Sequence, residues 1–267
     1  MTNKTIVFSD VDGTLLNSNH KVSKGTREAI LKLQEQGIPF VIVTGRGPTG
    51  VYPILEDNDF NCAMITYSGA LILDENRNIL YEKRIPIRKV EEIVGFVEEE
   101  KMPLAWCIYP DEVWSVKDKT DPRIVNEARV LQLEPQEIEL SKMSDEQTSS
   151  KILCICDPGT INDIEAKLKE KFTDYTIIKS SDVLLEIMSK GIDKAAAIDR
   201  LCEMWKIPIE DTIAFGDNYN DFSMLREVGH GYIMENAPED MKAEIKNVTK
   251  DNDHDGIPFV LKELKLI

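Results

Sequence analysis

Short apolar runs alternate with longer stretches of helical periodicity through the first third of the chain. Residues 5–9 form a run as long as a buried strand. Ser23 then opens an amphipathic stretch with Ala29, Ile30 and Leu33 on one face, and Gly37 stops it. Residues 39–43 and 62–66 read as two further buried strands, and Pro48 suits the first turn of a helix between them. Strands that alternate with helices in this way predict a parallel sheet with helices on its faces.

The pattern then changes. Residues 70–73 and 79–82 flank the polar turn 74–78 and read as a hairpin. From 84 to 186 the elements are less regular. A helix near 89–100 precedes strands at 104–109 and 113–116, and a polar stretch at 141–150 precedes a strand at 151–156. A helix over 161–172 and two more strand candidates complete a mixture that predicts an α+β fold. Beyond Lys194 the first pattern resumes, with a helix at 195–205, a strand at 212–215, a helix at 222–228, a strand at 231–234 and a helix from about Pro238. The simplest organisation is one α/β domain (residues 1–83 and 187–267) interrupted by a second domain over 84–186, which is tolerated when chain ends lie close together.

At ~150 residues per domain, a length of 267 accommodates this organisation. The 32 basic and 48 acidic side chains leave a formal net charge of −16. With no basic block, that balance argues against nucleic acid or an anionic membrane as partner, because both need positive footprints. No run approaches the ~20 apolar residues of a membrane span, and the first ten residues carry no signal-peptide core. Cys62, Cys107, Cys154, Cys156 and Cys202 are scattered and odd in number, as expected of free thiols in a reducing cytoplasm. Cys154 and Cys156 imitate a metal fragment, but no His or second Cys pair is near in sequence to complete a tetrahedral site.

Candidate chemistry collects at the ends of the predicted strands. Asp10-Val11-Asp12-Gly13-Thr14 follows the first of them. In open α/β sheets reacting groups gather at the carboxyl ends of strands, so Asp10 and Asp12 are expected there together, with Gly13 letting backbone approach a ligand. A turn or helix cap would use the same acids. Thr44-Gly45-Arg46 follows the second strand and offers a hydroxyl and backbone N–H groups at a helix start, a natural anion site, although Thr44 could equally cap. Lys194, just before a helix, is either a point cation suited to phosphate or a solvated charge. Asp217 and Asp221 follow a later strand in Gly216-Asp217-Asn218-Tyr219-Asn220-Asp221, a sequence that an Asx-rich turn also explains. Four such pieces at the ends of successive strands are hard to attribute to four separate coincidences.

With these residues the chain resembles haloacid dehalogenase (HAD) superfamily phosphatases, specifically Cof-type members of subfamily IIB. The resemblance runs over essentially the whole length, from Asp10 to the closing Val248-Thr249-Lys250 and Asp255-Gly256. It implies a Rossmann-like HAD core with a parallel sheet, and makes the insertion an α+β C2-type cap that closes over the site and sets specificity. It implies Asp10 as nucleophile and Asp12 as general acid, then base. Thr44, Gly45 and Arg46 would hold the transferring phosphoryl group, Asn220 the substrate, and Lys194 (rather than Lys190) is the motif lysine. Mg2+ would be held by Asp10, Asp217, Asp221 and Asp12, the last through its backbone carbonyl.

Charge agrees with this transfer. A phosphate monoester carries nearly two negative charges, so attack by a carboxylate needs cations. Mg2+ and Lys194 would supply them, and Lys194 is expected to keep Asp10 ionised. An acid at Asp12 can protonate the leaving alkoxide and later activate water, which favours hydrolysis. HAD-type cation pumps have Thr at the corresponding position. The implied function is hydrolysis of phosphate monoesters of small metabolites, sugar phosphates or nucleotide-like cofactors, through an aspartyl-phosphate. A phosphomutase of the same subfamily or a phospho-ligand sensor without turnover would use the same residues.

One departure stands out. Cof-type proteins commonly have Asn-Gly-Ala after the third core strand, where this chain has Ser68-Gly69-Ala70. Any substrate contact made by that Asn is in doubt here. Trp106, Tyr109 and Trp114 in the insertion read as core in preference to a stacking surface. Residues 251–256 imitate the start of a calcium loop, but Lys262 stands where the bidentate Glu is required. His20, His230 and His254 share no ligand spacing.

Overall fold

In the computed structural model of the chain, which describes residues 5–131 and 133–267, Ile6–Ser9 (β1) is buried at every position, as a central strand covered on both faces must be. Lys24–Glu35 (α1) follows. The Ser23 hydroxyl accepts from the Thr26 N–H at 3.0 Å to cap it, and Thr26, Ala29, Ile30 and Leu33 form its buried face. Gly37, at φ 71°, ends it. Phe40–Val43 (β2), Tyr52–Asp57 (α2), Ala63–Thr66 (β3), Leu71–Leu73 (β4) and Ile79–Glu82 (β5) complete the first stretch, with α2 entered through a 3₁₀ turn at Pro48–Gly50.

The next unit, Glu82–Ile192, is a separate compact body. It contains Ile85–Pro86 (β6), Ile87–Glu99 (α3), Leu104–Ile108 (β7), Ser115–Val116 (β8), Pro122–Leu131 (α4) and Gln136–Glu137 (β9). Thr148–Ser149 (β10), Ile152–Cys156 (β11), Ile161–Lys171 (α5), Tyr175–Lys179 (β12) and Leu184–Ser189 (β13) follow. Six strands pair in the order β12-β13-β11-β7-β8-β9, antiparallel except for β8 with β9. Alternate residues of this sheet, among them Trp106, Ile152, Cys154 and Ile187, pack with Ile93 and Val97 of α3 and Ile164 and Leu168 of α5. Trp106, Tyr109 and Trp114 are all buried. Several elements differ from the sequence expectation, among them the two-residue strands β6, β9 and β10, which it did not name. Only Ser115–Val116 of the expected strand 113–116 pairs, because a 3₁₀ turn at Pro110–Glu112 precedes it. Helix α4 was not foreseen; only Ile124 is buried on it, while Val125 and Val130 are exposed.

The chain then returns to the first unit with Lys194–Trp205 (α6), Thr212–Gly216 (β14), Phe222–Glu227 (α7), His230–Met234 (β15), Glu239–Glu244 (α8), Asn247–Thr249 (β16) and Gly256–Glu263 (α9). Its eight-stranded sheet has the order β16-β15-β14-β1-β2-β3-β4-β5. From β16 to β3 every pairing is parallel, and β4 turns back against β3. Strand β1 therefore lies where the strand order reverses, between β2 and β14, and the carboxyl ends of β1 and β14 open side by side at that switch point. The acidic run 251–256 ties the closing turn to the loop after β1. Asp253 accepts from the Ser18 N–H at 2.9 Å and from its hydroxyl at 2.5 Å, and Asp255 accepts from the Ser23 hydroxyl. Among the described residues no helix is long and apolar enough to cross a membrane.

Ile198 on α6 is fully buried against this sheet, whereas Met204 on the same helix is 43% exposed. Ile198→Ala is expected to cost about 2–5 kcal/mol in denaturant unfolding and Met204→Ala less than about 1 kcal/mol.

Candidate active site

Asp10 is the first residue beyond β1. Its backbone N–H extends the sheet ladder to the Phe215 carbonyl at 3.0 Å, which fixes where its side chain emerges. Asp217 stands at the equivalent place beyond β14. Asp221 closes the turn that follows, its Oδ2 accepting the N–H groups of Asp217 at 2.9 Å and Asn218 at 3.0 Å. Lys194 is the first residue of α6, behind Asp193, whose carboxylate caps the helix by accepting from Ala196 N–H at 2.8 Å. The Lys194 Nζ donates to Asp10 Oδ1 at 2.6 Å and to Asp221 Oδ1 at 2.5 Å. Thr14, part of the first motif but given no role from sequence, donates its hydroxyl to Asp217 Oδ1 at 2.6 Å. Asn236, unmarked by any motif, donates to the Gly13 carbonyl at 2.9 Å and steadies the same loop.

One carboxylate oxygen from each of Asp10, Asp217 and Asp221 lies within 4.8 Å of the others, and all three residues are buried. Hard oxygen donors at this spacing suit a hard divalent cation. Charge leads to the same conclusion, because the one ammonium of Lys194 leaves two of the three carboxylates uncompensated. Burial pushes the Asp10 carboxyl well above its ordinary range; Asp221 and Asp217 add to the shift, and Lys194 opposes it without prevailing. Lys194, expected to keep Asp10 ionised, acts in that direction, but its ammonium is shared with Asp221 and burial works against it. Asp217 is pushed up to about 7, first by burial and then by Asp221, against the Thr14 hydrogen bond and Lys194. Lys194 is itself held above its ordinary range by Asp10 and Asp221, which overcome its own burial.

The other expected residues are placed differently. The Asp12 side chain is outside the acid cluster and meets Arg46, whose Nε and Nη2 donate to its two oxygens at 2.7 and 2.6 Å. Thr44 is buried beyond β2, and its Oγ1 accepts the Arg46 N–H at 3.1 Å. The Arg46 N–H and guanidinium, expected to meet an anion, thus already serve Thr44 and Asp12. Gly45 lies between them, and Asn220 is half-buried in the 3₁₀ turn that ends at Asp221. Ser68 has φ 55°, a left-handed value that Asn adopts more readily than Ser, and donates its N–H to the Thr44 carbonyl at 2.9 Å.

A family model of haloacid dehalogenase-like hydrolases matches residues 7–261. A Haemophilus influenzae protein named "Putative phosphatase" is 35% identical over 96% of this chain and 97% of its own length. The solved structure of a haloacid dehalogenase-like hydrolase from Bacillus subtilis, 27% identical, covers 97% of this chain and 99% of that one with a TM-score of 0.87. The structure of the HAD subclass IIB sugar phosphatase BT4131, 24% identical, has a TM-score of 0.84 over 98% of this chain and 100% of that one, a likeness of fold.

Two outcomes test the cluster. Gly13 has φ 82°, and a Cβ there would overlap the Asp217 carboxylate. Gly13→Ala is expected to weaken divalent-cation binding about 10- to 100-fold by titration calorimetry while the fold persists. Asp217, at about 7, keeps its proton in the folded chain after the unfolded chain has lost it near pH 4. In EDTA, stability is therefore expected to fall as pH rises from about 4 through 7. Asp217→Asn should flatten that slope in a series of melting curves.

Proposed function

The chain belongs to the haloacid dehalogenase-like hydrolase family and is a phosphatase, and from that premise we propose that it hydrolyses phosphate monoesters of small metabolites with Mg2+, through an aspartyl-phosphate on Asp10. The observation that carries this reading is the cluster of three buried carboxylates around Lys194, with a fourth, Asp12, held apart from them on Arg46. A structural ion pair needs one acid. Three acids at two adjacent strand ends, with two charges left over, call for a divalent cation.

In this reading Asp10 and Asp217 hold Mg2+ together with the Asp12 backbone carbonyl. Asp221 contributes mainly by placing Lys194 and the Asp217 turn, since its two oxygens already accept from Lys194 and from two backbone N–H groups. Bound there, the cation screens the negative charge of carboxylates and phosphate. Asp10 attacks phosphorus as a carboxylate, the ester P–O bond breaks, and Asp12 gives its proton to the departing alkoxide. Asp12, now a carboxylate, takes a proton from water. The resulting hydroxide attacks the aspartyl-phosphate, releasing inorganic phosphate and restoring Asp10. Lys194 keeps Asp10 Oδ1 fixed throughout, and Thr44 offers its hydroxyl to the transferring group. The inserted unit carries substrate selection in the same reading.

Phosphate release from p-nitrophenyl phosphate and from a panel of phosphorylated metabolites tests the reading. Activity is expected with Mg2+, to vanish in EDTA and to fall by about 10³-fold or more in Asp10→Asn. Equal release in all three conditions would refute it.

A further inference from the structure

The contact between Arg46 and Asp12 differs from an ordinary surface ion pair. The Arg46 side chain is only 13% exposed while that of Asp12 is 49% exposed. The guanidinium meets the carboxylate as a two-pronged fork and also donates Nη1–H to the Gly50 carbonyl at 3.2 Å. Its loop is fixed in turn. The Tyr67 N–H donates to the Arg46 carbonyl at 2.9 Å, and the Ser68 N–H to that of Thr44 at 2.9 Å. Tyr67 and Ser68 hold φ of 50° and 55°, left-handed values that side-chain-bearing residues keep only when their surroundings impose them. A Cβ on Gly47 would collide with the Tyr67 hydroxyl, so this loop and the strained pair are fitted to one another.

We propose that Arg46 is a positioning residue for Asp12, aiming its carboxyl at the oxygen that leaves; this rests on the phosphatase reading above. The fork, itself anchored on the Gly50 carbonyl and on a fixed loop, restricts the Asp12 carboxyl to one orientation, so a variant without it keeps the acid but loses its aim.

The test uses the leaving group. A p-nitrophenolate departs without a proton, whereas an alkoxide needs one, and kcat/KM reports only the steps through attack by Asp10. Arg46→Gln and Arg46→Lys, the second keeping the charge but losing the fork, are compared with the intact protein in Mg2+. The series of monoesters runs from p-nitrophenyl phosphate to a hexose phosphate, with melting midpoints recorded alongside. The Gln variant is expected to lose about 30- to 100-fold in kcat/KM on the alkyl ester, through kcat, and less than about threefold on the aryl ester, with the Lys variant intermediate. If the Gln variant fails to fold, the same graded loss in the Lys variant is the expected result. Equal losses across the series, or a rise in KM alone, would overturn the proposal and make Arg46 a phosphate anchor. An intact protein inactive on every ester would instead refute the phosphatase reading itself.

Discussion

A single buried ammonium organises the catalytic unit. Lys194 Nζ, with no exposure, touches Asp10 and Asp221, which lie 184 and 27 residues away in the chain. Burying three charges is costly, and the contact holds only while every partner is present, since removing one leaves the others desolvated without compensation. The insertion of a whole second unit between Asp10 and Lys194 is tolerated because this contact, together with the β1–β14 pairing, joins the two halves of the sheet independently of what lies between them.

The acid excess acquires a sharper meaning from that contact. A protein with a formal net charge of −16 repels a phosphate ester at long range. Its site adds three carboxylates and offsets only one of them internally. In the proposed reaction, affinity for an anion would come from short range, from a bound cation and from groups such as Thr44. Burial, with the neighbouring carboxylates, pushes both Asp10 and Asp217 above the ordinary carboxylate range.

Much of the site was legible in sequence because its parts sit next to regular structure. Asp10 and Asp217 follow apolar runs that read as strands, and Lys194 opens a helix whose apolar face is plain. Parallel pairing then brings adjacent strand ends together without further information. The parts that were not legible lie where local pattern is silent. Helix α4 buries only one residue, and Asn236 belongs to no motif. The sequence offers Arg46 as an anion donor beside Thr44 but holds no trace of its contact with Asp12, a residue 34 positions earlier. No periodicity records which of two chemically suitable partners a guanidinium will take.

By itself the sequence determined the α/β class, the interruption by a second unit and the residue types of the site, because hydrophobic period and strand-end placement are local properties of the chain. Tertiary structure alone decided how charge is shared among those residues. It divides Lys194 between two acids, sets burial against it at Asp10, and rests Asp12 on Arg46, apart from the cluster. The reason is physical. Desolvation and Coulomb energy depend on depth and on distances of a few ångströms between segments far apart in the chain, and those distances exist only once the sheet has closed.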